Sequence, residues 1–177
     1  MSGLLSVLNE AARAGLCTQV VCTTCGAGPY RKALGRAQRH DPLGFTEALA
    51  SLPFESWLPF ENPRGAVFHA LSVLGAPRPV SQVLERWITR LDTPTWLLDA
   101  VVFDVIRIGL AESPIREVWM DRALQAAEGT QDASLVESLV YTLGEGTREH
   151  VTLVGLAKQL AASQPRVAKA LRRVGVA

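Results

Sequence analysis

Four stretches of the chain end in the same way: Leu71-Ser-Val-Leu-Gly75, Val105-Ile-Arg-Ile-Gly109, Val140-Tyr-Thr-Leu-Gly144 and Leu171-Arg-Arg-Val-Gly175. Each places an aliphatic residue four positions and one position before a glycine. Those two sites share one face of a helix, and glycine is the residue best able to take the left-handed backbone that closes it. The glycines step by 34, 35 and 31 residues. A helix, a turn, a second helix and a second turn fill such a step. From about residue 64 onward the chain is therefore expected to be paired helices, and the whole to be all-α.

The second helix of each pair can be read as well. Val80, Val83, Leu84, Trp87, Ile88 and Leu91 form an i, i+3, i+4, i+7 stripe. Ser113 can cap a helix bearing Ile115, Val118, Trp119, Ala123 and Leu124, and Thr147 can open one bearing Val151, Val154, Ala157 and Leu160. A terminal helix is expected over residues 164–174. In architecture and period, residues 64–177 resemble the HEAT-like family of α-solenoid repeats. That resemblance implies a curved stack whose inner surface binds another macromolecule. The same residues also suit an irregular helical bundle, since ordinary helices often end in glycine after an aliphatic residue.

Pro94–Gly109 is the most apolar run, and Asp99, Asp104 and Arg107 within it argue against a membrane span. It reads instead as a helix capped by Thr93, with Pro94 at its first position and Gly109 at its end. Its apolar residues cover most of the circumference, which predicts packing on more than one side. Asp104 and Arg107 are three apart and can pair. The three charges are expected at the edges of contacts between helix pairs or along the inner surface.

Earlier in the chain, helices are expected over residues 2–14, ended by Gly15, over 30–39 and over 42–52. Leu16 to Cys25, rich in β-branched residues, is expected to be a short extended segment. Pro53, Pro59 and Pro63 break any continuous helix across the aromatic, acidic loop between them. These elements suggest one domain over residues 1–177, in which 1–63 form an N-terminal cap region and 64–177 the helical pairs.

Charge is unevenly spread. Residues 1–40 carry +4, residues 41–157 carry −8 and residues 158–177 carry +5. Such blocks steer association without naming the partner. Residues 1–10 lack a positive leader region, and three cysteines do not make a disulfide framework, so the expected compartment is the cytoplasm.

Several residue sets carry candidate chemistry. Cys17-x4-Cys22-x2-Cys25 matches the opening of an iron–sulfur loop, and its last two cysteines match half a zinc site, with His40 the nearest further ligand. Cys22-x2-Cys25 also has dithiol spacing. Either use lacks a fourth partner or the surrounding βαβ pattern, and small residues packing a buried strand explain the same cysteines. Arg31, Lys32, Arg36 and Arg39 after Gly26-Ala-Gly-Pro29 suit either a solvated helix face or contact with an anion or acidic partner. Asp99 and Asp104 invite acid–base chemistry, yet no histidine accompanies them, and anchoring of neighbouring helices is the simpler use. Trp57, with Glu55 and Glu61, is either a binding anchor in a proline-held loop or a plug that closes the core.

No coherent catalytic set emerges and no cofactor is implied. The sequence points to a non-enzymatic protein-binding helical module, such as an immunity protein, adaptor or inhibitor acting on a protein partner. A metal- or thiol-dependent protein is the alternative. Nucleic-acid binding through the basic ends is opposed by the acidic middle. Oligomeric state is not encoded in any of these features.

Overall fold

The computed structural model describes residues 2–19, 28–90 and 92–176. Among these residues every regular element is helical and there are no strands. Cys22 and Cys25 lie outside the described residues, as does most of the expected extended segment; Leu16–Gln19 are non-helical.

The chain divides into two compact units, residues 1–93 with Leu110–Glu112, and Pro94–Gly109 with residues 113–177. The expected division near residue 63 falls inside the first unit. That unit holds α1 (Ser2–Arg13), α2 (Gly28–His40), α3 (Pro42–Ser51), α4 (Pro63–Ser72) and α5 (Pro77–Ile88), with a 3-10 turn at Phe54–Trp57. The second holds α6 (Thr95–Ala100), continued by a π-helical segment Val101–Ile106, then α7 (Ser113–Thr130), α8 (Ala133–Leu143), a 3-10 segment Gly144–Glu149, α9 (Val151–Ala161) and α10 (Pro165–Arg173).

Local chemistry sets the helix ends. Gly15, Gly75, Gly109, Gly144 and Gly175, each expected to close a helix, all have positive φ, between 58° and 77°. In the four superposed stretches the residue four before the glycine is buried every time: Leu71, Val105, Val140 and Leu171. The residue one before it is not, since Ile108 is 49% exposed. Starts are set by proline and by side-chain caps. Asp41-Pro42-Leu43-Gly44 and Asn62-Pro63-Arg64-Gly65 open α3 and α4 alike. The carboxylate of Asp41 and the amide oxygen of Asn62 accept the glycine N–H at 2.9 and 3.0 Å, and proline sits in the first turn.

Two expected caps are corrected. Thr93 does not open α6; Pro94 is its N-cap, and the Thr93 hydroxyl lies 3.0 and 2.9 Å from the carbonyls of Trp87 and Arg90, turned back on the end of α5. Thr147 likewise donates to Val140 O at 3.3 Å rather than opening α9, whose N-cap is His150. In both places the hydroxyl satisfies carbonyls left open at the preceding helix end. The α9 stripe shifts in consequence: Val151 is 81% exposed, while Leu153 and Ala157 are buried. On α7, Ile115, Trp119, Ala123 and Ala127 face inward and Val118 is half-exposed.

Packing in the first unit runs α1 on α2 and α3, α2 on α3 and α4, and α3 on α5. The proline-held loop closes into this core. Phe54, Trp57 and Phe60 are each at most 5% exposed. Tyr30 meets Phe60 at a tilt, with centroids 5.3 Å apart, and donates its hydroxyl to Ala66 O, while Phe54 meets Trp87 edge to face at 6.0 Å. Arg90 covers Phe54 at 3.8 Å and donates to Leu52 O and Asp92. In the second unit α8 is central, packing on α6, the π-helical segment, α7, α9 and α10, while α7 also packs on α9.

Candidate functional site

The π-helical segment is where the candidate site begins. Val102 O accepts the N–H of Arg107, five residues on, at 3.1 Å, and the hydroxyl of Thr142 on α8 at 3.2 Å. A turn closed from i to i+5 is wider than an α-turn, and such turns recur at functional positions. Phe103, on this segment, meets Tyr141 of α8 edge to face, with centroids 6.1 Å apart and planes at 70°.

An arginine covers each ring. Arg107 donates Nε–H to Phe103 O at 3.1 Å, and its guanidinium carbon lies 4.4 Å from the Phe103 centroid. Arg173, from the last turn of α10, lies 5.7 Å from the Tyr141 centroid. With Gly144 and Glu145 these four side chains line a cleft of about 450 Å³. Both arginines and Glu145 are exposed, and both rings are half-buried. Neither guanidinium forms an ion pair among the described residues. Stacking on rings fixes a guanidinium's position while leaving in-plane N–H donors for a carboxylate or phosphate.

Of the three charges expected on this helix, Arg107 is therefore in the cleft, and its expected pairing with Asp104 is replaced by the contact with Phe103. The π-turn takes residues three apart off a common face. Asp104 is buried. Asp99, also buried, accepts the hydroxyl of Ser138 on α8, so it fastens α6 to its neighbour.

The remaining sites are dispersed. Trp57 is fully buried and cannot meet a partner; the three loop aromatics supply a core that the short helices around them lack, while Glu55 and Glu61 stay exposed. Arg31, Lys32, Arg36 and Arg39 lie exposed on α2, and His40 is exposed at its end. Cys17 is half-buried. Among the described residues no three His, Cys, Asp or Glu side chains gather as metal ligands would. A larger groove, about 700 Å³, separates α1 from α2, with Lys32 and Arg36 on its lip.

The first unit also holds a buried histidine that sequence reasoning left as an isolated residue. His69, 3% exposed on α4, has Nε2 3.1 Å from Gln19 O, and its Nδ1 has no hydrogen-bond partner among the described residues. Rings of Tyr30 and Phe68 stand edge-on to it. Burial holds its pKa below the ordinary value, and the Arg31 charge adds to this, while the Gln19 carbonyl works against it.

Fold and cleft together define an all-α protein carrying an arginine–aromatic surface site. No protein-family model, curated protein or solved structure matches the chain. No helix among the described residues is long and apolar enough to cross a membrane.

A signal for the cleft was present in the sequence. Arg107 and Arg173 each stand two residues before a capping glycine, and Tyr141 stands three before the glycine between them.

Proposed function

We propose that the chain is a non-enzymatic protein-binding module, a short HEAT-like stack of helix pairs that acts on a protein partner as an adaptor, inhibitor or immunity protein. The observation that carries this is the position of the cleft across three consecutive first helices, α6 with its π-segment, α8 and α10. Within the second unit α6 packs on α8, α8 on α10, and α7 on α9. First helices lie on first helices and second on second, an order that supports the solenoid reading. Equivalent positions then recur along one surface, and that surface carries arginine and tyrosine, residue types that anchor protein interfaces.

The test is affinity capture with the intact chain beside a Tyr141→Ala/Arg173→Glu variant of unchanged helicity. A protein retained by the native chain and released by the variant is the expected result. Retention of nothing by the native chain, or of the same protein by both, overturns the proposal.

A further inference from the structure

The side chains of the cleft narrow the chemistry of what docks there. Arg107 and Arg173 occupy the same place relative to their capping glycines, and the packing of α8 against both the π-segment and α10 sets Tyr141 between them. Each guanidinium carbon lies over a ring, 4.4 and 5.7 Å from its centroid, and has no carboxylate partner among the described residues. On α10 itself Arg166, Lys169, Arg172 and Arg173 stand with no acid among them, and Arg166 reaches Glu137 of α8 at 3.7 Å. An occupant that matches these features brings negative charge to two separated points and something apolar between them.

Three classes of occupant meet that description unequally. A nucleic-acid strand brings a phosphate at every nucleotide and stacks its bases on open ring faces. Here a guanidinium lies over each of Phe103 and Tyr141, and only two cations line the cleft, too few for a phosphate at every nucleotide. A small organic anion needs walls that enclose most of its surface. The arginines and Glu145 are themselves exposed, which leaves those walls open. An extended chain with acidic side chains spaced along it needs neither open ring faces nor enclosure.

We infer that the cleft docks an acidic, extended segment of a partner protein, with carboxylates on Arg107 and Arg173 and an apolar side chain between them against Phe103 and Tyr141. This rests on the chain being a protein-binding module. Exposed charge-assisted contacts of this kind contribute modestly one by one, so affinity comes from the pair of arginines acting with the rings.

Fluorescence anisotropy with a labelled peptide of alternating glutamate and leucine tests the inference, beside a lysine–leucine peptide of equal length and a labelled oligothymidylate. The glutamate peptide is expected to bind in preference to both and to weaken as salt is raised. Arg107→Gln and Arg173→Gln should each weaken it by about fivefold, as for exposed ion pairs, with the double variant weaker than either. Equal binding of the two peptides, an unchanged double variant, or tighter binding of the oligothymidylate each overturns the acidic-segment assignment. Should the native chain retain a partner that the glutamate peptide neither displaces nor mimics, the acidic-segment assignment falls while the module stands. A native chain that retains no partner removes the module itself.

Discussion

The carbonyl oxygen of Thr18 lies 1.7 Å from the point where a Cβ on Gly65 would stand. The chain at Leu16–Gln19 thus rests directly on the first turn of α4, and the Thr18 hydroxyl ties it there by donating to Asn62 O at 2.9 Å. No side chain fits between two backbones at that separation. Gly65→Ala should therefore destabilise the protein by about 1–3 kcal/mol, in the range of overpacked core sites. The same change at Gly155, exposed on α9 with nothing near its missing Cβ, should stabilise by about 0.5–1 kcal/mol through helix propensity. Urea unfolding of the two variants reads both, and like signs would contradict the contact.

His69 predicts how stability depends on pH. Its pKa is lowered in the folded chain, mainly by burial, so the folded state prefers the neutral ring. The sign follows from linkage: the stabilisation is full above the unfolded value near 6.5 and is lost as pH falls through the folded one, because the unfolded chain takes up the proton first. A second proton on Nδ1 would find no acceptor among the described residues. Unfolding midpoints followed downward from neutral pH should fall for the native chain and fall less for His69→Phe. Parallel curves for the two proteins would remove His69 as the cause.

Asp99 and Ser138 give a prediction for the second unit. Both are buried, and the serine hydroxyl donates to the carboxylate across the α6–α8 contact. Ser138→Ala removes a hydrogen bond between buried groups and takes one donor from the Asp99 carboxyl, a loss of about 1–3 kcal/mol. Chemical denaturation measures it, and a loss no larger than that of an exposed serine substitution such as Ser163→Ala would show that the bond contributes little.

The punctuation of the fold was legible in the sequence because each mark has a local cause. Glycine takes positive φ without a steric cost, so Gly75, Gly109, Gly144 and Gly175 could be assigned from their neighbours alone. Proline at a helix start follows from its missing N–H in the same way. What failed depended on the third dimension. Thr93 and Thr147 precede helices and look like caps, yet their hydroxyls turn back to carbonyls whose need arises only once the preceding helix has ended. Trp57 left two readings open, a loop anchor or a plug of the core, and only its burial in the fold selects the plug. The cleft was half legible: Arg107 could be singled out as a charge in an apolar run, but its partners come from α8 and α10, and only packing brings Tyr141 and Arg173 beside it.

The face of α9 separates a reading by periodicity from one by position. A stripe through Val151, Val154, Ala157 and Leu160 satisfies helical spacing, but the 3-10 segment Gly144–Glu149 delivers the chain so that Val151 enters at 81% exposure and Leu153 at 2%. The two residues lie two apart, nearly on opposite sides of a helix of 3.6 residues per turn. Val151→Lys should therefore change stability by no more than about 0.5 kcal/mol, the range of surface substitutions. Leu153→Ala should cost about 2–5 kcal/mol, the range for a buried leucine. Thermal unfolding monitored by circular dichroism distinguishes them: a large loss at Val151 with a small one at Leu153 would restore the periodic stripe and turn the helix by about half a revolution.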